Sequence, residues 1–399
     1  MALTRRSFVR TAGIGAGAAL TSTIWGRGRE NSVWSAAMEN IAPNLQAVDR
    51  GVICIASNEN PVGPGKKVLD TVRALLDGGA RPGRYSNQAG ELTEAIAAHF
   101  KVKTDNVLVS EGSTEILRAA TQVFTAKTKP LVGTIPTYEE CAGYAELMGN
   151  PVKGVKLTPD FKIDLDAYLT ASKGAGLVFY CNPNNPTATY VGAKATRDFI
   201  TKLTSASPDT TILVDEAYFD YVTDPDHATH VPLAIENKNV IVARTFSKAY
   251  GIAGLRQGYA IAHADTIRKM RPWVGSGGTG SLNVFGMAAG VAAIQQDADG
   301  SFSANERNRN KAVRDFSMKW FNDRGMKPTD CQANFMFVNI GTPAKAFREA
   351  CRAKGVMVAR DFPPFEKTHA RISLGTMEEM QKAVTVFGDV LAKKSTAAA

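Results

Sequence analysis

The sequence predicts an α/β protein with a mostly parallel, mixed central sheet flanked by helices. A smaller α+β part comes from the two ends of the chain. Three observations carry this expectation. Short apolar runs recur at 52–55, 107–110, 131–135, 177–181, 211–215, 240–244 and 257–261, each the length of a buried strand. Helix-like stretches separate most of them, and alternating β and α segments imply a parallel sheet with ligands at the strands' carboxyl ends. The 399 residues are 44% hydrophobic, enough to bury a large core or two domains.

Residues 1–37 read as an address label. Arg5 and Arg6 begin a charged segment, and the weakly apolar run TAGIGAGAALTSTIWG follows at 11–26. This is signal-peptide length, too short for a stable membrane anchor. The Arg5-Arg6 pair resembles the twin-arginine export signal of bacteria. That resemblance implies a partner in the twin-arginine export machinery and a periplasmic or secreted location. Cleavage after Ala37 would use the small residues Ser35 and Ala37. Residues 38–75 are expected to join the smaller domain, 76–290 to form the large one and 291–393 the small C-terminal one. Within the last part, 286–322 is helical in character, strands are expected at 335–340 and 371–374, and the STAAA tail should fray.

Composition excludes several functions. The net charge is +9, but five arginines against Glu30 alone fall within the first 37 residues. The remainder is mildly basic and has no basic block interleaved with aromatics, so nucleic acid is not an expected partner. The five cysteines are dispersed without a CxxC pair, which fits buried thiols rather than a disulfide framework. The His227/His230 pair is not accompanied by a carboxylate or thiol cluster, so no metal is expected.

The strand ends hold the chemistry. After 107–110 comes a Gly-Ser-Thr turn that opens a helix, where backbone N–H groups with Ser113 and Thr114 form an anion site. Ser and Thr are also ordinary N-caps there. Tyr138 follows the 131–135 run and could cover a flat ring, or could be a core tyrosine. The turn CNPNNPT at 181–187 could present Asn185 as a donor to a phenolate oxygen, or be simply a turn, and Asp215 ends an apolar strand with Tyr218 three residues on. A buried carboxylate needs a cationic partner, and a protonated pyridine nitrogen would be one.

Lys248 is the centre of the pattern. It lies in a Thr-Phe-Ser-Lys turn after 240–244, with Ser247 before it and Arg256 eight residues later. Burying an ammonium is costly, yet a desolvated amine of lowered pKa forms a Schiff base with a carbonyl cofactor. Ser247 and Arg256 would then serve a phosphate. The plain alternative is a strand-end lysine reaching solvent.

Together these stretches resemble pyridoxal-phosphate enzymes of the aspartate-aminotransferase superfamily, fold type I, and within it the histidinol-phosphate aminotransferase branch. The matching segments are SNENPVGP (57–64), RYSNQAGELTEAIAAHF (84–100), SEGSTE (110–115), PTY (136–138), NPNNPT (182–187), VDEAY (214–218), TFSKAYGIAGLRQGY (245–259) and RISLGT (371–376). The resemblance implies pyridoxal 5'-phosphate as cofactor, held covalently by Lys248. It implies that Asp215 keeps the ring nitrogen protonated, that Asn185 and Tyr218 bond the 3-oxygen and that Tyr138 stacks on the ring. Ser113, Thr114, Ser247 and Arg256 would hold the phosphate. Tyr85 would reach the phosphate of a neighbouring subunit, which implies a homodimer with shared sites. Arg371, with Arg360 and Asn60 nearby, would receive the substrate's anionic end.

Three features depart from the family pattern. Ala188 follows NPNNPT where glycine is usual, which matters if the turn needs a positive φ. Val62 follows the NENP motif where phosphate-specific relatives often place tyrosine. The stretch VGSGGTGSLN at 274–283 is unusually rich in glycine. The expected function is amino-group transfer between an L-amino acid and a 2-oxo acid. A lyase, decarboxylase or cyclase on the same scaffold is the alternative class, and histidinol-phosphate aminotransferase proper is a further one.

Overall fold

A computed structural model describes residues 51–78, 83, 85, 89–275 and 282–392. The export signal expected at 1–37, the STAAA tail and residues 276–281 of the glycine-rich stretch lie outside the described residues.

Seven strands form the large sheet: β2 (Val107–Ser110), β3 (Leu131–Ile135), β4 (Val152–Lys156), β5 (Leu177–Cys181), β6 (Thr211–Asp215), β7 (Val240–Thr245) and β8 (Gly258–Ala262). Their spatial order is β2-β8-β7-β6-β5-β3-β4. Only β8 runs against its neighbours, antiparallel to both β2 and β7, while the other pairs are parallel. Every residue of β2, β5, β6, β7 and β8 is buried, as expected for strands covered on both faces. Alternate residues serve opposite cores. Ile212 and Val214 pack on one face and Leu213 on the other, following the two-residue period of a strand. The edge strand β4, VKGVK, has a largely exposed pattern. Its lysines suit a free edge and gave no apolar run to read in the sequence.

A second core joins Ile55 to residues from 313 to 390. There β1 (Ile53–Ile55) pairs in parallel with β10 (Val356–Val358), and β9 (Phe335–Asn339) pairs antiparallel with β11 (His369–Ser373). The helical stretch near 286–322 is two helices, Val284–Gln296 and Ser301–Asn322. Gly300 at φ 73° separates them. The first packs in the large core through Met287, Ala289 and Ala293. The second gives Val313 and Phe321 to the smaller core.

Ala188 sits at φ 60° and is fully buried. Its N–H donates to Asn184 O at 2.7 Å and its carbonyl accepts from Gln332 N at 2.8 Å. The turn therefore does require the left-handed region, which costs a non-glycine residue about 1–2 kcal/mol. Its methyl group packs into the smaller core, a contact that glycine would not make.

Candidate active site

One edge of the large sheet collects the carboxyl ends of β2, β3, β5, β6 and β7. Because β8 runs the other way, it starts at this edge, so Gly258 faces the turn after β2. A cavity of about 430 Å³ opens here. Eleven of the residues singled out in the sequence line it: Ser113, Thr114, Tyr138, Asn185, Asp215, Tyr218, Ser247, Lys248, Arg256, Arg360 and Arg371.

One end of the cavity is built from backbone. Gly112, at φ 73°, caps the helix Ser113–Phe124, whose first N–H groups carry the positive end of the helix dipole. The packing is close: a Cβ on Gly112 would lie 2.4 Å from Arg256 Nη2, and one on Gly258 would lie 2.3 Å from Ser113 N. Glycine at both points lets the Arg256 guanidinium, the Ser113 and Thr114 hydroxyls and the helix amides converge. Arg256 itself takes a left-handed backbone at φ 53°, and its Nη1 donates to Ala253 O at 3.0 Å. Guanidinium, hydroxyls and helix N-terminus together make a phosphate cradle.

Lys248 and Asp215 occupy the middle. Lys248 is half-buried, and its Nζ donates to Ser57 O at 3.1 Å. Desolvation lowers its pKa to about 8, helped by Arg371 and Arg256 and opposed by Glu59. Asp215 ends β6 and accepts the Ala217 N–H at 3.1 Å. Burial pushes its pKa to about 7, so a cationic partner would restore full ionisation. Next along the chain, Glu216 behaves oppositely. Burial alone would raise it, but Arg244 and His230 bring it to about 2. Burial pushes the phenol of Tyr138 upward, against the pull of a hydrogen bond with Thr114, and that of Tyr218 upward too. Tyr218 O–H accepts from Asn58 Nδ2 at 3.1 Å.

The other end is made of side chains. Arg371, 8% exposed, donates through Nη1 to Asn185 Oδ1 at 2.8 Å and through Nη2 to Ala56 O at 2.7 Å. Its buried Nε has no hydrogen-bond partner among the described residues. Taking up Oδ1 leaves Asn185 Nδ2 as the end available to a ligand. Arg360 reaches Glu139 Oε2 at 2.6 Å.

Two predicted residues lie outside the lining. Asn60 turns away, donating to Ala249 O at 2.8 Å and accepting from Val62 N at 3.0 Å. Tyr85 is 91% exposed. Asn58, which is not among the expected site residues, lines the cavity instead. It adopts φ 56° and is locked by Ser373, which receives the Asn58 N–H at 2.9 Å and donates to Oδ1 at 2.7 Å. A signal existed: asparagine is among the few side chains at ease in the left-handed region. Its partner Ser373 is 315 residues away, which no local pattern reveals.

The sequence model of aminotransferase class I and II matches residues 50–387. The chain belongs to this family. The aminotransferase is 33% identical to the histidinol-phosphate aminotransferase of Moorella thermoacetica over 86% of each chain. It is 32% identical to the Bacillus subtilis enzyme of the same name, over 85% of this chain and 92% of that one. A structure of histidinol-phosphate aminotransferase from Sinorhizobium meliloti in complex with pyridoxal-5'-phosphate superposes with a TM-score of 0.77. The two are 25% identical, over 86% of this chain and 91% of that one. The aminotransferase thus has the type I fold and uses pyridoxal phosphate. Its residues fit that cofactor. The Gly112 and Gly258 approaches leave a cradle for the phosphate, and the buried Asp215 carboxylate suits a cationic ring nitrogen.

Proposed function

We propose that this aminotransferase takes its amino group from α-amino acids with a free carboxylate, including ones with apolar or aromatic side chains. One observation carries the reading. Arg371 is buried, its two terminal nitrogens donate to neutral oxygens, and its Nε has no partner among the described residues. A desolvated guanidinium of this kind is balanced by one anionic group, and a carboxylate matches its planar fork.

Bound pyridoxal phosphate supplies a ring that withdraws electrons from the substrate's α-carbon. The chain's residues do the rest. Asp215 fixes the charge of the ring nitrogen. Asn185, steered by Arg371, and Tyr218, steered by Asn58, present polar groups to one face of the cavity. Lys248, with its amine near pKa 8, would take the α-proton on Nζ and hand it on rather than restore it to the α-carbon, since a base titrating near the working pH both accepts and releases a proton. Measuring kcat/KM for a panel of free amino acids against histidinol phosphate tests the substrate class. A clear preference for the phosphate ester would sink it.

Histidinol-phosphate aminotransferase proper is the second reading, favoured by the names of the relatives above. Against it stands Val62, which is 57% exposed and has no hydroxyl to offer a phosphate. We also read the enzyme as an exported homodimer. Tyr85, 91% exposed on this chain, is placed on the surface as a residue serving a neighbouring subunit would be. For export, Arg5→Lys with Arg6→Lys should hold the precursor in the cytoplasm. Unchanged recovery outside it would rule out the twin-arginine route.

A further inference from the structure

The substrate end of the cavity holds two guanidiniums of unequal effective charge. Arg360 Nη2 donates to Glu139 Oε2 at 2.6 Å, with the side chains 18% and 11% exposed. Its Nη1 donates to Asp361 O at 3.0 Å. Arg371 donates to neutral oxygens. Both arginines flank one ring, Phe362, at 4.4 Å and 4.6 Å from its centroid. They therefore act on the same small volume.

Glu139 is well placed to be a fixed counter-charge. It follows Tyr138 in the turn after β3, caps the helix Glu140–Leu147, and its carbonyl accepts the Gly143 N–H at 2.8 Å. The backbone that presents Tyr138 to the cavity therefore also positions the carboxylate behind Arg360. A pair this far out of water is weakly screened, so Glu139 cancels most of the charge that Arg360 would project into the cavity. Two arginines and one glutamate leave a net single positive charge. That matches a carboxylate. A phosphate monoester carries about −1.5 to −2 at neutral pH and would meet Glu139 as a repulsive neighbour.

We propose that Glu139 is a specificity-determining residue that neutralises Arg360 and so sets the anionic end of the site for a carboxylate rather than a phosphate dianion. The inference rests on the reading of that end given above.

The test uses purified holoenzyme and the amino-donor half-reaction, followed through cofactor absorbance. Histidinol phosphate and phenylalanine are the two donors, and the readout is the ratio of their kcat/KM values. Glu139→Gln should raise the phosphate-to-carboxylate ratio by about tenfold or more, and Arg360→Gln should lower it by a similar factor. A purely structural role for Glu139 would weaken both donors together and leave the ratio in place. A ratio within about threefold of wild type in Glu139→Gln, below the tenfold expected of a buried charge, overturns the proposal. So does movement in the same direction in both variants. If Glu139→Gln does not fold, Arg360→Gln decides alone by the same ratio: a drop supports the proposal, while no change or a rise overturns it. Wild-type preference for histidinol phosphate would sink the carboxylate reading and, with it, the proposal that Glu139 sets the site for a carboxylate. Preference for phenylalanine with an unmoved ratio would sink this proposal alone and leave the carboxylate reading in place.

Discussion

The two ends of the cavity are held by different means. At the phosphate cradle, Gly112, Ser113, Thr114, Ser247 and Arg256 come from two segments, one after β2 and one between β7 and β8, on either side of the start of β8. Close backbone packing leaves them little freedom, since a Cβ on Gly258 would collide with the backbone of Gly112 and Ser113. At the substrate end, Arg371, Arg360, Asn58 and Asn185 come from four separate segments. They are fixed through side-chain hydrogen bonds, such as Arg371 to Asn185 and Asn58 to Tyr218. A site fixed by backbone geometry tolerates little change in its ligand. A site fixed by charges and long side chains changes its preference when one charge changes. Substrate choice is thus expected to vary at the second end without disturbing cofactor capture at the first.

The hardest test of that division is Lys248, which stands between the ends. Lys248→Ala should reduce turnover by on the order of 10⁴-fold, because both proton transfer and covalent capture are lost. The phosphate cradle should still bind cofactor non-covalently. Borohydride reduction with peptide mapping of the wild type should place the cofactor on Lys248, and a label on any other lysine would break the assignment.

A smaller effect is expected at the substrate end alone. Arg371→Ala should cost about 2–4 kcal/mol in kcat/KM for carboxylate donors, mostly through KM. Cofactor affinity, read by fluorescence titration, should change little. A matching loss of cofactor affinity would mean that the two ends are not independent.

The last effect is on stability rather than turnover and concerns the cofactor-free protein. Asp215 is raised from 3.8 to about 7. Between those values the native state keeps a proton that the unfolded chain has released, so stability falls as pH rises through this window. Asp215→Asn removes the effect. The wild-type unfolding free energy should therefore fall relative to the variant by about 1.4 kcal/mol per pH unit there. Denaturant titrations at several pH values check this, and parallel curves would show that the carboxylate is not desolvated.

Local sequence recorded most strands of the sheet, β4 excepted, and the cofactor end. Apolar runs mark β2, β3, β5, β6 and β7, and each is followed within a few residues by its functional side chains. Strand end and turn are local, so composition and short motifs record them. The reversed direction of β8 was not written in its own residues. A buried antiparallel strand and a buried parallel one share the same apolar composition, and only pairing distinguishes them. The substrate end was decided by tertiary structure. Asn58 meets Ser373 across 315 residues and Arg371 meets Asn185 across 186. Arg360 meets Glu139 across 221. Which charges face one another, and which cancel, depends on how the smaller core docks against the sheet, because a Coulomb interaction depends on separation in space and not along the chain.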